Sequence, residues 1–176
     1  MSGHNKWAQI KHKKAATDSK KSNVWGKLAK RIAVESKLAA GDINSPTLRT
    51  MIEMAKKENM PKENIERAVA KGTSADATSL ENITYETYGP GGAAIIIKTV
   101  TDSRNRTAQE MKHLLSVHGL ALAAPGSALW AFDTMGEEYQ PKTTVPLSEA
   151  DNEALMSILE EIEAHDDVED VYTNAE

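Results

Sequence analysis

Lysines and an indole are interleaved at the head of this chain, in SGHNKWAQIKHKKAATDSKKSNV, residues 2–24. Up to Ile32, nine residues are basic (Lys6, Lys11, Lys13, Lys14, Lys20, Lys21, Lys27, Lys30 and Arg31) and one, Asp18, is acidic. That stretch carries +8 in a chain of 176 residues with net charge −5, so the remaining residues carry −13. Charge segregated this sharply presents the positive end to a polyanion. Lysines hold phosphate without reading sequence, and the Trp7 ring, flanked by His4 and His12, offers a face for base or ribose stacking. The bland alternative is a solvated basic tail in which Trp7 caps the first helices. Interleaving of aromatic and basic residues favours nucleic acid. The primary contact set is therefore Lys6, Trp7, Lys11, His12, Lys13, Lys14, Lys20, Lys21, Lys27, Lys30 and Arg31.

Two further stretches hold chemistry-bearing residues. Tyr88-Gly89-Pro90-Gly91-Gly92 is a glycine-rich turn whose backbone N–H groups can cradle phosphate. It joins two strands and lacks the Lys-Ser/Thr of a P-loop, so a turn that needs positive φ is the simpler reading. Arg104, Asn105 and Arg106 precede a helix. They are either part of a capped turn, with Thr107 and Glu110 as a capping box and ion pairs to Asp102 and Glu110, or an anion contact at a helix N-terminus. These eight positions form a secondary contact set.

No catalytic constellation is visible. The five histidines show no metal-binding spacing, so no metal site is expected. The acidic residues around Glu160–Glu163 and Asp166-Asp167 read as the wet face of a helix. No nucleophile, base and orienter occur together, and no cofactor fingerprint is present, so neither an enzyme nor a cofactor or small-molecule substrate is expected. A nuclease built on His4 or His12 with Asp18 would sit on a flexible tail that positions nothing. Cysteine is absent, which excludes disulfides and thiol chemistry and fits a reducing compartment. No apolar run is long enough to span a membrane and no secretory h-region is present, so the expected location is cytoplasmic.

The elements that must position these groups follow from periodicity. Residues 1–22 read as a basic, partly disordered head. Val24–Ala40 predicts a helix with a stripe of Val24, Leu28, Ile32 and then Leu38 or Ala39, ended by Gly41. Ser45-Pro46 opens a second helix and Pro61 a third, which Gly72 stops. Residues 23–72 thus form a three-helix bundle, and 73–82 a small polar linker. From Ile83 the pattern changes to strands at 83–88, 93–100, 127–132 and 138–147, with helices at 107–118 and 148–164 and a last strand at 168–172. Residues 83–176 therefore predict a ferredoxin-like antiparallel sheet with two helices on one face. The fold class is α+β.

Four segments carry a resemblance to a known family. GHNKWAQIKHKKAATDSKK, NMPKENIERAVAKG, YETYGPGGAAIIIKTVTDSRNRT and DDVEDVYTNAE resemble the matching segments of the YebC/PmpR proteins, relatives of the mitochondrial translational activator of cytochrome oxidase. Family members carry a further α/β domain between the segments matching SALWAF and PLSEADNEAL. Here only the ten residues Asp133 to Lys142 lie there. The two flanking strands are expected to be joined directly.

The resemblance implies a YebC/PmpR-type regulator that binds DNA and controls transcription. The alternative it implies is a ribosome-associated translation factor that binds ribosomal RNA. A third class is a protein-interaction adaptor using the acidic half, in which residues 133–176 hold one basic and fourteen acidic residues. No helix-turn-helix with a polar recognition helix is seen, which disfavours sequence-specific DNA reading. Lysine plus tryptophan suits single-stranded or structured RNA at least as well. Binding by charge to about six phosphates would give a log–log salt slope near −5 on duplex DNA.

Overall fold

The computed structural model describes residues 18–136 and 138–176. Helix α1 (Asp18–Leu38), α2 (Pro46–Lys57) and α3 (Lys62–Thr73) come first. Strands β1 (Glu81–Tyr88) and β2 (Ala94–Thr101) follow, then α4 (Arg104–Val117). Strands β3 (Phe132–Met135) and β4 (Glu138–Pro141), α5 (Glu149–Ala164) and β5 (Val168–Thr173) complete the order. The chain divides into two compact units, residues 16–82 with 100–104, and 83–99 with 105–176.

The first unit is a three-helix bundle. Leu28 and Ile32 of α1, Leu48 and Ala55 of α2, Met60, and Ile65 and Ala68 of α3 are buried together. Of the stripe expected on α1, Leu28 and Ile32 are buried and Ala39, not Leu38, packs on the cluster at its end, while Val24 and Leu38 are exposed; Ala33 and Val34 are buried as well, against Leu80 and Val100. Helix α1 also begins six residues before Val24. Its C-terminus closes with Gly41 N–H on the Ser36 carbonyl at 2.8 Å, and Ala40 rather than Gly41 takes the first left-handed position, at φ 48°. Ser45 precedes α2, with Pro46 in its first turn, but its hydroxyl meets Thr47 Oγ1 at 3.4 Å and caps no backbone N–H.

Gly72 does not stop α3, which runs on to Thr73. Gly72 is buried at the crossing with α1. A Cβ there would lie 2.4 Å from the Ala33 carbonyl oxygen and 2.5 Å from Ser36 Cβ. The same crossing carries a hydrogen bond from Ser36 Oγ to the Val69 carbonyl at 2.7 Å. The sequence rule that glycine ends helices misreads a position where glycine lets two backbones touch.

In the second unit β2 lies between β1 and β5, pairing antiparallel with β5 from Ile95↔Thr173 to Thr99↔Val168. Alternation sends Ile95 and Ile97 to one face, where Met111 and Leu115 of α4 and Leu155, Ile158, Leu159 and Ile162 of α5 cover them. Ala94 and Ile96 face the other way, onto Ala128, Ala131 and Phe132. The α+β class and the two helices on one face are as expected. The SALWAF segment differs. Leu129–Ala131 forms a 3₁₀ turn, and only Phe132 onward is strand, paired with β4 in a separate two-stranded hairpin. That hairpin joins the two flanking segments directly. Ser148 caps α5 as its sequence position suggests, accepting from the Asp151 N–H at 3.1 Å.

Replacing Gly72 with alanine tests the α1–α3 crossing. Helix propensity would gain about 1 kcal/mol. The clash is with backbone, which cannot rotate away, so a net loss of about 1–3 kcal/mol is expected. A urea midpoint lowered relative to the native chain checks it; an unchanged or raised midpoint would show that the crossing has slack.

Candidate nucleic-acid interface

The crossing of α1 and α3 leaves a groove of about 420 Å³. Gly26, Ala29 and Ala33 of α1, Ala68 of α3, Met60 and Leu80 supply its apolar lining. Small residues four and three apart on α1 keep that face low, so the groove follows from side-chain size. Lys30, Arg67 and Lys71 stand around it, with Asn64. Asn64, Arg67 and Lys71 recur at helical spacing on α3 and share one face. Trp25 borders the groove, and its Nε1–H donates to the Glu58 carbonyl at 2.9 Å, tying α1 to the turn after α2. Three cations around an apolar trough can hold phosphates at the rim and a base or sugar between.

Of the primary contact set, Lys30 lines this groove. Lys27 and Arg31 lie one turn or less away on α1, half-buried. Lys20 and Lys21 fall on the first turns of α1, where side chains are outside the described residues, as are Lys6, Trp7, Lys11, His12, Lys13 and Lys14. Asn64, Arg67 and Lys71 were not singled out by sequence. The i, i+3, i+7 spacing was legible, but on a helix whose neighbours are Glu63 and Glu66 it reads as an ordinary charged face.

The secondary contact set divides. In the Gly89–Gly92 turn, Gly92 N–H bonds the Gly89 carbonyl at 3.1 Å and Gly89 N–H bonds the Ala93 carbonyl at 2.8 Å, while Pro90 has no N–H. Gly91 and Gly92 have φ of 67° and 80°, and a Cβ on Gly91 would meet Leu147 Cδ2 at 2.4 Å. The glycines thus serve a turn packed on the start of α5. Arg104 forks onto Glu81, with Nη2 on Oε2 at 2.6 Å and Nε on Oε1 at 3.4 Å. This hydrogen-bonded guanidinium holds the Glu81 carboxyl below the usual glutamate range, with Lys37 adding to the effect. Arg106 reaches the buried Asp167 at 2.8 Å, and Asp167 also accepts from Thr107 Oγ1 at 2.7 Å. The capping box on Thr107 does not form. Thr107 is inside α4, and Glu110 instead meets His165 at 2.9 Å.

Glu110, His165 and Asp167 place their ligand-type atoms within 4.8 Å of one another. The Arg106 guanidinium already stands between the two carboxylates, 3.8 Å from Glu110 and 2.8 Å from Asp167. The His165 Nδ1 accepts from the Asp167 backbone N–H at 3.1 Å. The arrangement is an ion-pair cluster that fastens α4 to the α5–β5 connection.

Sequence reasoning also passed over Glu86. It sits on β1 at 4% exposure, and its carboxylate accepts the N–H groups of Gly126 (2.5 Å), Ala128 (2.7 Å) and Leu129 (3.0 Å). Gly126, at φ 85°, follows Pro125 in a turn closed by Ser127 N–H on the Ala124 carbonyl. One carboxylate thus organises the whole 124–129 loop. A lone acidic residue in an alternating strand gives no sequence signal of this.

A three-helix bundle with a basic groove and a unit of helix-backed antiparallel sheet together define a two-unit α+β protein. No described helix is long and apolar enough to cross a membrane. Comparisons carry the assignment further. Residues 5–75 match the TACO1/YebC protein N-terminal domain, and residues 80–138 and 136–175 match the TACO1/YebC second and third domain. The latter two segments meet on the β3–β4 hairpin. A probable transcriptional regulatory protein of Chlorobaculum parvum is 46% identical over 169 residues, covering 95% of this chain and 67% of that protein. Another, from Pseudothermotoga lettingae, is 37% identical over 238 residues, covering 100% of this chain and 94% of that one. A crystal structure of a conserved hypothetical protein from Aquifex aeolicus superposes with a TM-score of 0.88 at 30% identity, covering 97% of this chain and 96% of that one. The chain belongs to the TACO1/YebC family.

Two outcomes are expected. Glu86→Ala strands three loop N–H groups under the surface and is expected to lower stability by about 2–3 kcal/mol, read from a denaturant midpoint. Arg104→Gln removes the partner that favours the charged form of Glu81. The Glu81 titration, followed by NMR, is expected to move up towards the usual glutamate range. Because the folded value is the depressed one, the pair's contribution is present at neutral pH and lost as pH falls through that value.

Proposed function

We propose that this chain is a nucleic-acid-binding regulator of gene expression, contacting its target through the basic head and the α1–α3 groove. The observation that carries this reading is the convergence of Lys30, from the +8 segment, with Arg67 and Lys71 of α3 on one apolar trough. The names of the relatives, probable transcriptional regulatory proteins, support a DNA target and control of transcription. The chain covers 67% of the length of the first of these relatives, so what such a whole protein does comes to this chain only as part of the proposal.

A second reading, binding to structured or ribosomal RNA in support of translation, draws on the shape of the groove. Its floor is apolar, with a tryptophan at its border. That suits an unpaired base better than the wide rod of a duplex. The Gly89–Gly92 turn and the Arg104–Arg106 segment would then make a secondary contact.

The test is binding of the full chain to a duplex DNA and to a stem-loop RNA across a salt series. The double change Arg67→Glu with Lys71→Glu is expected to weaken binding at least 10-fold and to reduce the salt slope by about 2, one per lost phosphate contact. Preference for duplex favours the transcription reading, and preference for the stem-loop favours the translation reading. Unchanged affinity and slope in the double variant would remove the groove from the interface.

A further inference from the structure

The second unit has an exposed aromatic pair that the nucleic-acid reading does not use. Trp130, in the Leu129–Ala131 turn, is 60% exposed. Its Nε1–H donates to Tyr88 Oη at 2.9 Å, and that hydroxyl donates to the Ser127 carbonyl. The polar atoms of both rings are thereby taken up inside the protein. What they show to solvent is ring surface, held in place by two hydrogen bonds. An indole presented in this way binds through its π face.

The charge behind that face decides what it binds. The buried Glu86 carboxylate lies under the same loop, bonded to the N–H of Ala128 and Leu129, the residues just before Trp130. Its partners are backbone dipoles, which stabilise a negative charge without cancelling it. No described cation pairs with it. Residues 83–99 and 105–176 together hold four basic and sixteen acidic residues, a net −12. A nucleobase could stack on the indole, but its phosphates would enter a field of their own sign. A cation is drawn both by the ring quadrupole and by the net negative charge of the unit.

We propose that the Trp130–Tyr88 face receives an arginine or lysine side chain from a basic segment of a protein partner. The surface is separate in sequence and chemistry from the groove lined by Lys30, Arg67 and Lys71, so the proposal stands whether or not that groove binds nucleic acid. It gives the acidic half of the chain a role that nucleic-acid binding leaves without explanation. The indole face supplies orientation, and the unit's net negative charge supplies attraction and a salt dependence.

The probe is an eight-residue peptide of alternating arginine and glycine, titrated into the full chain at low salt, with a serine-glycine peptide as control. Trp130→Leu keeps a comparable exposed apolar group and removes the π face. It is expected to weaken arginine-peptide binding about 3- to 10-fold, while the lost hydrogen bond to Tyr88 Oη lowers the thermal midpoint only slightly because the residue is exposed. Trp130→Phe, which keeps a weaker face, is expected to fall between. Three results would overturn the proposal: no binding of the arginine peptide by the native chain, equal binding by the native and Trp130→Leu chains, or loss in Trp130→Leu of oligonucleotide affinity with peptide binding intact. The last would make the pair a base-stacking platform instead.

Discussion

Two helical backbones approach most closely where one of them carries no side chain at the crossing. Gly72 meets that condition against Ala33 and Ser36, and the groove between α1 and α3 exists on its terms. Small residues along α1, at Gly26, Ala29 and Ala33, extend the same low surface away from the crossing. The cations that ring the trough then need no special placement. They are the ordinary outward residues of two helices, converged because the helices are close. Packing comes first here and electrostatics follows from it.

The second unit rests on a different device. A carboxylate buried at Glu86 organises backbone that has no ladder of its own. Burying a charge is costly unless it is hydrogen-bonded, and three N–H groups meet that requirement with no paired cation among the described residues. The loop so fixed presents Trp130 and Tyr88. The local order of the surface therefore depends on a residue that touches none of it directly. In the same unit, Arg106, Asp167 and Thr107 do comparable work at the start of α4, with a true ion pair.

The arginine positions illustrate why sequence spacing alone could not choose between the two readings of the secondary set. Arg104 and Arg106 stand before a helix in an acidic half, which reads equally as an anion site or as a set of ion pairs. Tertiary contact supplied the partners from distant parts of the chain, Glu81 and Asp167. The local partner expected at Glu110 does approach Arg106, at 3.8 Å. Likewise SALWAF has the apolar character of a strand, yet its first residues are held in a turn by Glu86. Propensity lost to a single buried carboxylate.

The sequence by itself determined the α+β class, the three amphipathic helices, the buried β2 strand and the segregation of charge. All of these follow from periodicity or composition, which are local properties. It also determined the family, through motifs spread over most of the chain. Only the tertiary structure decided which side of each helix meets another, and hence that Lys30 shares a groove with Arg67 and Lys71. The same holds for the helix-crossing role of Gly72 and for Glu86 beneath the loop of Trp130. Each depends on contacts between residues tens of positions apart, and nothing in the spacing of either partner announces the other.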